Sequence, residues 1–319
     1  MLHTPKMSAP PAISVVVVSD YRAGEDKSWD DLRATLAALA GQDFDEPFEC
    51  LLVENRDDLA NLPADVPSAF PGVRVLSSEA SGSYGLKNAG IAAARGDLVG
   101  VLDADCAPDR SWLRSGVDAM RRWSDAVAIS GRTTYPGRSV LERCLALLSR
   151  CYVDRGHSGT VRLLSTNNMI VRRSVFTECP LPEGAGPFAY RLLTEGLLRR
   201  GGKLYFEPAM RAVHDSEGWA MERDLRRGVG WTSVRIRQLD ATLPGAGVVR
   251  GLGPFSIPLF YAYRVGESAG HCLRLPRYYG LSWYHAPLLI GLAMVVHGFE
   301  ISGMLGAFRN DGAGASAYR

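Results

Sequence analysis

The sequence predicts an α/β domain: a mainly parallel sheet flanked by helices, followed by a helical, apolar C-terminal extension. Three observations predict it. Short aliphatic runs without polar alternation, as expected of strands covered on both faces, alternate with stretches of helical apolar spacing. One of these runs, Leu98-Val99-Gly100-Val101-Leu102-Asp103-Ala104-Asp105-Cys106, drives straight into two carboxylates one residue apart. The last hundred residues are apolar and mildly basic, with an unbroken apolar run over 286–296.

Ile13-Ser14-Val15-Val16-Val17-Val18-Ser19 reads as the first strand. Ser28 with Asp31 three residues on forms a capping-box pattern ahead of Leu32, Leu36 and Leu39 at helical spacing. Residues 50–55 make a second strand ending in Glu54-Asn55, and 73–76 a third. Residues 84–95 read as a helix closed by Gly96, which feeds the strand 98–103. Pro108 precedes a helix with Trp112, Leu113, Gly116, Val117 and Met120 on one face. Alternating strands and helices imply right-handed crossovers, so three strands deliver Ser19, Glu54 and Asp103 to one sheet edge.

Beyond about residue 130 the pattern is less regular: helix over 140–152, strand over 167–171, helix over 190–200, strand over 203–206. Residues 216–239 form a long helix whose Arg223, Arg226, Arg227, Arg235 and Arg237 make a basic face, either solvated or turned to phosphates or lipid headgroups. The run 286–296 is shorter than the roughly 18 to 20 residues a clean span needs. It suits an interfacial or re-entrant helix, or one packed on the preceding domain.

Of the 319 residues 46% are hydrophobic and 22% charged, as in a folded globular chain. The net charge of +2 is too small to argue for nucleic acid. Residues 216–319 hold 11 Arg against 7 acidic residues, which suits an anionic membrane surface. The six cysteines show no Cys-x-x-Cys pair and no zinc spacing, so reduced thiols in a cytosolic setting are expected. Residues 1–12 lack an apolar signal core and read as disordered. Arginine outnumbers lysine 32 to 4, a bias typical of GC-rich bacterial genomes, and each lysine is thereby informative.

A strand ending in Asp-x-Asp sets oxygen ligands where parallel sheets usually bind theirs, outside the carboxyl edge. Such ligands suit Mg²⁺ or Mn²⁺, which bind through one or two carboxylates plus substrate phosphates. The competing reading is a capped turn before the Trp112 helix.

Together these segments resemble family 2 glycosyltransferases, whose glycosyltransferase-A fold is a nucleotide-binding α/β sheet. The likeness covers about residues 13–215. It rests on Ile13 to Ser19 with Asp20-Tyr21-Arg22, on Leu36, Leu39 and Gln42, and on Val53-Glu54-Asn55. Lys87-Asn88-Ala89-Gly90, Ala94-Arg95-Gly96-Asp97 and Leu102-Asp103-Ala104-Asp105-Cys106 follow in the family's order, then Tyr205-Phe206-Glu207-Pro208 and His214. The resemblance implies a nucleotide-binding half over 13–130 and an acceptor half over 131–215, while the composition of 216–319 suggests a helical, membrane-associating region on the cytoplasmic face. It implies Asp105, Asp103 and His214 as ligands of Mn²⁺ or Mg²⁺, and Ser19, Tyr21, Glu54, Lys87 and Asp103 around a nucleotide-diphosphate sugar. The alternatives are an exposed helix lysine for Lys87, a solvated loop carboxylate for Glu54, and a core or surface histidine for His214.

The acceptor side departs from the family. Its acidic pair before a helix that ends in Gly falls here, by spacing back from Gly201, on Ala189-Tyr190, and neither residue is a carboxylate. Glu195 in the same helix and Glu183 in the loop before it are substitute bases. A positioned base is worth about 10² to 10⁴ in rate, so a chain lacking one suits an acceptor that is already anionic, such as a polyprenyl phosphate; a cell-envelope saccharide is the other acceptor class. The expected activity is inverting, metal-dependent sugar transfer. An inactive membrane scaffold with this fold, or a nucleotidyltransferase, are the competing functions, though no Gly-rich phosphate loop follows Ser19.

Overall fold

The computed structural model describes residues 10–19, 29–80, 82–137, 139–214 and 218–310. Asp20, Tyr21, Arg22 and Ser28 lie outside them, as does most of the stretch read as a disordered N-terminus.

Strand β1 (Ile13–Val18) is buried along its whole length, as its unbroken valines require. It lies parallel between β2 (Phe48–Asn55) and β4 (Leu98–Asp103), and β3 (Arg74–Ser78) extends the sheet past β2. Its alternate side chains serve two cores. Val15 and Val17 pack with the apolar faces of α1 (Asp30–Ala40) and α4 (Trp112–Arg122). Val16 and Val18 pack with those of α3 (Ser83–Ala93) and α7 (Ala189–Arg199). A one-turn α2 (Arg56–Leu59) follows β2.

The parallel arrangement holds for β3-β2-β1-β4, after which the sheet becomes mixed. Next to β4, β8 (Asn168–Arg172) runs antiparallel, and β6 (Ala126–Thr134) is antiparallel to β8 in turn. Then comes β9 (Lys203–His214), parallel to β6, with β5 (Cys106–Pro108) and β7 (Gly159–Val161) both antiparallel along its far side. Helix α5 (Val140–Arg150) follows β6, and the short α6 (Arg173–Glu178) follows β8.

Several local expectations need correction. Helix α1 starts with Trp29 as its cap, in the left-handed region and with no side-chain cap bond, one residue too late for a Ser28 box. Helix α3 ends at Ala93, so Gly96 is not its cap. A Cβ at Gly96 would lie 2.9 Å from the Ser14 amide nitrogen; the residue is small because the chain crosses β1 there. Strand β9 runs past 206 to His214. Pairing with β6 jumps from Gly131↔Glu207 to Arg132↔Arg211, so Pro208, which has no N–H to give, sits in a bulge.

The C-terminal extension is helical: α8 (Gly218–Leu239), α9 (Ala246–Leu252), α10 (Ile257–Cys272) and α11 (Ala286–Phe308). Its helices knit into one body at backbone distance. A Cβ on Gly303 would lie 1.9 Å from the Arg227 carbonyl oxygen, and one on Gly230 would lie 2.0 Å from that of Glu300. The expected basic face of α8 is broken up. Arg223 and Arg227 are exposed, while Arg226 is buried between Glu222 (2.7 Å) and Glu300 (3.4 Å). Arg237 is buried too and donates to the carbonyls of Ser233 and Pro244. Arg264 of α10 closes the cluster at 3.3 Å from Glu300.

Residues Trp283–Phe308 are long and apolar enough to cross a bilayer. One face of α11, with Leu289, Leu292, Val296, His297 and Glu300, is nevertheless buried inside the protein.

Candidate active site

Register builds the site. Val18 pairs with both Val53 and Asp103, so Ser19, Glu54 and Asp103 emerge at one edge. The turn after β4 is fixed from two sides: Ala104 N–H donates to the Val18 carbonyl (2.8 Å), and its own carbonyl accepts from Thr35 Oγ1 (2.6 Å). The pairing Cys106↔His214 then lays the end of β9 against Asp105.

At the ends of β1 and β2 the Ser19 hydroxyl donates to Glu54, and both side chains are buried. Glu54 is therefore no solvated loop carboxylate. Lys87 is 2% exposed, its Nζ 2.6 Å from the Asp103 carboxylate and 5.5 Å from the centre of the Tyr84 ring. Burial alone would lower its pKa; the charge of Asp103 and the neighbouring Tyr84 outweigh that and hold it raised. An exposed helix lysine is excluded.

Asp105 Oδ2 lies 3.2 Å from His214 Nε2, while Oδ1 is buried with no hydrogen-bond partner among the described residues. Burial, reinforced by Asp103 and opposed by His214, raises the Asp105 pKa, the response of a carboxylate whose counter-charge is incomplete. The ligand atoms of Asp105, Cys106 and His214 all fall within 4.8 Å of one another. Burial, with Asp105 and Asp103 beside it, pushes the Cys106 thiol well up, and Asp105 with His214 forms an oxygen and nitrogen donor set. That set fits a divalent ion of the Mn²⁺ type.

The comparisons with known proteins follow the same lines. The family model described as glycosyl transferase family 2 matches residues 15–178, just over half of the chain. The chain belongs to glycosyl transferase family 2. Glycosyltransferase AglE of Haloferax volcanii is 26% identical to this family 2 chain over 187 residues, which are 57% of each protein; the chain thus spans little more than half the length of that relative. The mannosyltransferase PcManGT from Pyrobaculum calidifontis, solved with GDP-Man and Mn²⁺, superposes with a TM-score of 0.59 at 14% identity, over 97% of this chain and 91% of that one. TarS 1–349 of S. aureus, solved with UDP-GlcNAc, gives 0.49 at 15% identity, over 95% and 92%. The fold is of the glycosyltransferase-A type, a mixed sheet with flanking helices.

In this family 2 glycosyltransferase the residues expected from sequence do not all meet. Lys87 and Asp103 touch, as do Asp105 and His214, and Ser19 and Glu54 touch beside them. Tyr21 lies outside the described residues. Glu195 forms no hydrogen bond or ion pair with any of them. It is five residues past Tyr190, roughly 140° around helix α7, while Leu193, Thr194 and Leu197 take the buried positions. Glu183 is exposed and accepts from Asn88 Nδ2 at 2.9 Å, tying its loop to the helix that carries Lys87.

Sequence reasoning missed Tyr84, Tyr135 and Arg150. Tyr135 sets its ring 5.1 Å from that of His214, and its hydroxyl accepts from Arg150 Nη2 at 2.6 Å. No signal marks these residues in the sequence: Arg150 reads as the polar end of an amphipathic helix, and its partners Tyr135, Ser165 and Asn167 come from the segments just after β6 and just before β8.

Proposed function

We propose that this family 2 glycosyltransferase moves a sugar, with inversion, from a nucleoside-diphosphate sugar to an anionic acceptor of the polyprenyl-phosphate class at a membrane surface. The observation that carries the acceptor is the carboxylate gap: Ala189-Tyr190 stand where a base is expected, and Glu195 makes no hydrogen bond or ion pair with Lys87, Asp103, Asp105 or His214. An acceptor that arrives deprotonated needs no base.

Asp105 and His214, with Asp103 beside them, would hold the metal ion; the Pyrobaculum neighbour, solved with Mn²⁺, is in keeping with this. Bound there, the ion would supply Lewis-acid neutralisation of the leaving diphosphate. Lys87 holds the Asp103 carboxylate in place through their 2.6 Å ion pair. Buried Ser19 and Glu54 offer hydrogen-bonding groups to the nucleoside. In the transfer an acceptor oxygen forms the new bond to the anomeric carbon as the bond to the diphosphate oxygen breaks, and that electron pair leaves with the nucleoside diphosphate. No proton moves.

The membrane reading, with 13–215 as the catalytic domain and 216–319 as the docking region, is supported by the outer face of α10 and α11. Leu259, Leu288, Met294 and Val295 are exposed on these helices, Phe255, Leu273, Trp283 and Tyr284 on the segments flanking them, and Arg250, Arg274, Arg277 and Arg309 elsewhere on the same extension. An apolar face fringed with arginine suits an anionic bilayer interface.

The test is Asp105→Asn. Mn²⁺-dependent binding of nucleoside diphosphates should weaken at least about tenfold, and sugar transfer to a polyprenyl phosphate in mixed micelles should fall by at least about 10³. Turnover unchanged in that variant would remove the site assignment. Transfer by the unaltered chain to neutral saccharides alone would remove the acceptor.

A further inference from the structure

Arg150 is a guanidinium with no carboxylate within ion-pairing distance among the described residues. Its hydrogen-bond partners are all neutral: Tyr135 Oη at 2.6 Å, Ser165 Oγ at 3.2 Å and Asn167 Oδ1 at 3.4 Å. Other arginines drawn toward the interior meet carboxylates, with the exception of Arg237, whose hydrogen bonds go to Pro244 and Ser233. Arg226 and Arg264 meet Glu300, and Arg132 approaches Asp154. Arg150 is half-buried; a charge partly withdrawn from water with no carboxylate in contact is costly, and an anionic ligand would offset that cost.

Its position says which ligand. The Arg150 guanidinium stacks 5.1 Å from the centre of the Tyr135 ring, and that ring lies 5.1 Å from His214. It is close enough for its charge to act on Asp105. Arg150 Nε is buried without a partner among the described residues, and Arg150 lines a small cavity of about 10 Å³ with Thr133, Val153, Asp154, Ser165 and Phe206, room for one water. A phosphate does not fit in that cavity, and Asp154 would repel it. The anion must come from the sheet edge, where Tyr135 and His214 stand. Asn167 joins Arg150 to the donor half as well, because its carbonyl accepts from the Asp103 amide.

We propose that Arg150, held by Tyr135, is the anion-binding residue of the acceptor subsite and takes a phosphoryl oxygen of the incoming acceptor beside the Asp105–His214 pair. This rests on the anionic-acceptor reading above. Arginine suits the role, since its planar fork stays charged and pairs with phosphate oxygens two at a time. Two phosphates reach this edge, the acceptor's and the donor's diphosphate, and the experiment separates them.

Farnesyl phosphate is the probe and farnesol its uncharged control, titrated calorimetrically into the full chain with Mn²⁺ and a nucleoside diphosphate present. The unaltered chain should bind farnesyl phosphate and not farnesol. Arg150→Gln should weaken farnesyl phosphate at least about tenfold, with nucleoside-diphosphate affinity changed less than about twofold, and Arg150→Lys, which keeps the charge but not the fork, should recover only part of the loss. In transfer assays the Gln variant should raise KM for the lipid phosphate far more than it lowers kcat. Unchanged farnesyl phosphate binding in Arg150→Gln overturns the assignment, as does a loss confined to the nucleotide, which would give Arg150 to the donor. If binding depends on Arg150 but no sugar is transferred, the subsite stands and the acceptor reading falls. If sugar is transferred with an unchanged KM in Arg150→Gln, the acceptor reading stands and the subsite falls.

Discussion

Lys87 Nζ lies 2.6 Å from the Asp103 carboxylate, and the cation is buried while the anion is about one-third exposed. This asymmetry matters. Asp103 offsets the burial of Lys87, so helix α3 carries a positive charge into the interior beside the proposed diphosphate site. The same helix is pinned from behind, where Asn88 Nδ2 donates to the Leu181 carbonyl and to Glu183.

Replacing Lys87 by Met keeps the volume and removes the charge. Because Asp103 is partly solvated, the expected loss of stability is modest, about 1 kcal/mol, well below the 3–5 kcal/mol of a fully buried broken pair. Turnover should fall at least about tenfold, and Mn²⁺-dependent nucleotide binding should weaken with it. Thermal melts with parallel nucleotide titrations check this; a large drop in melting temperature with normal nucleotide affinity would make Lys87 purely structural.

Glu49 anchors the opposite end of the sheet. Burial would raise its pKa, but hydrogen bonds from Ser14, from the Arg95 backbone and side chain, and from Arg74 outweigh that and bring it down to about 2 from 4.5. A carboxylate with a depressed folded-state pKa adds stability above its unfolded pKa, and that stability is lost as the pH falls through the folded value. Glu49→Gln should therefore cost about 2 kcal/mol at pH 7, with most of the difference from the unaltered protein gone by about pH 2.5. Urea unfolding at both pH values measures it, and a cost that does not vary with pH would assign the loss to packing.

The donor half was legible because its chemistry sits at strand ends. An aliphatic run fixes a buried strand, register aligns the ends, and whatever follows Val18, Val53 and Leu102 must reach the edge together. His214 was legible only through family resemblance, since nothing local foretells that β9 continues past Pro208 and returns beside β5. Arg150 and Tyr135 were not legible at all; their meaning lies in a meeting of α5, β6 and the turn before β8. The arginines of α8 misled for a related reason. Helical spacing predicts a face, but Glu300, arriving from α11, draws Arg226 inward.

The outer face of α11 gives the last prediction. Its inner face cannot leave the protein cheaply, because Gly303 lies at backbone distance from α8 and Glu300 is bonded to Arg226 and Arg264. A helix apolar on all sides but covered on one needs an apolar neighbour for the other. If that neighbour is a bilayer interface, the full chain should cosediment with vesicles containing about one-third phosphatidylglycerol, and more weakly as salt screens the exposed arginines. Leu288→Asp with Met294→Asp should cut vesicle partitioning at least about tenfold, since each side chain contributes on the order of 1 kcal/mol or more when buried. Both residues are exposed, so the melting temperature in vesicle-free buffer should not drop. Partitioning that survives the double substitution would place the contact elsewhere on the extension.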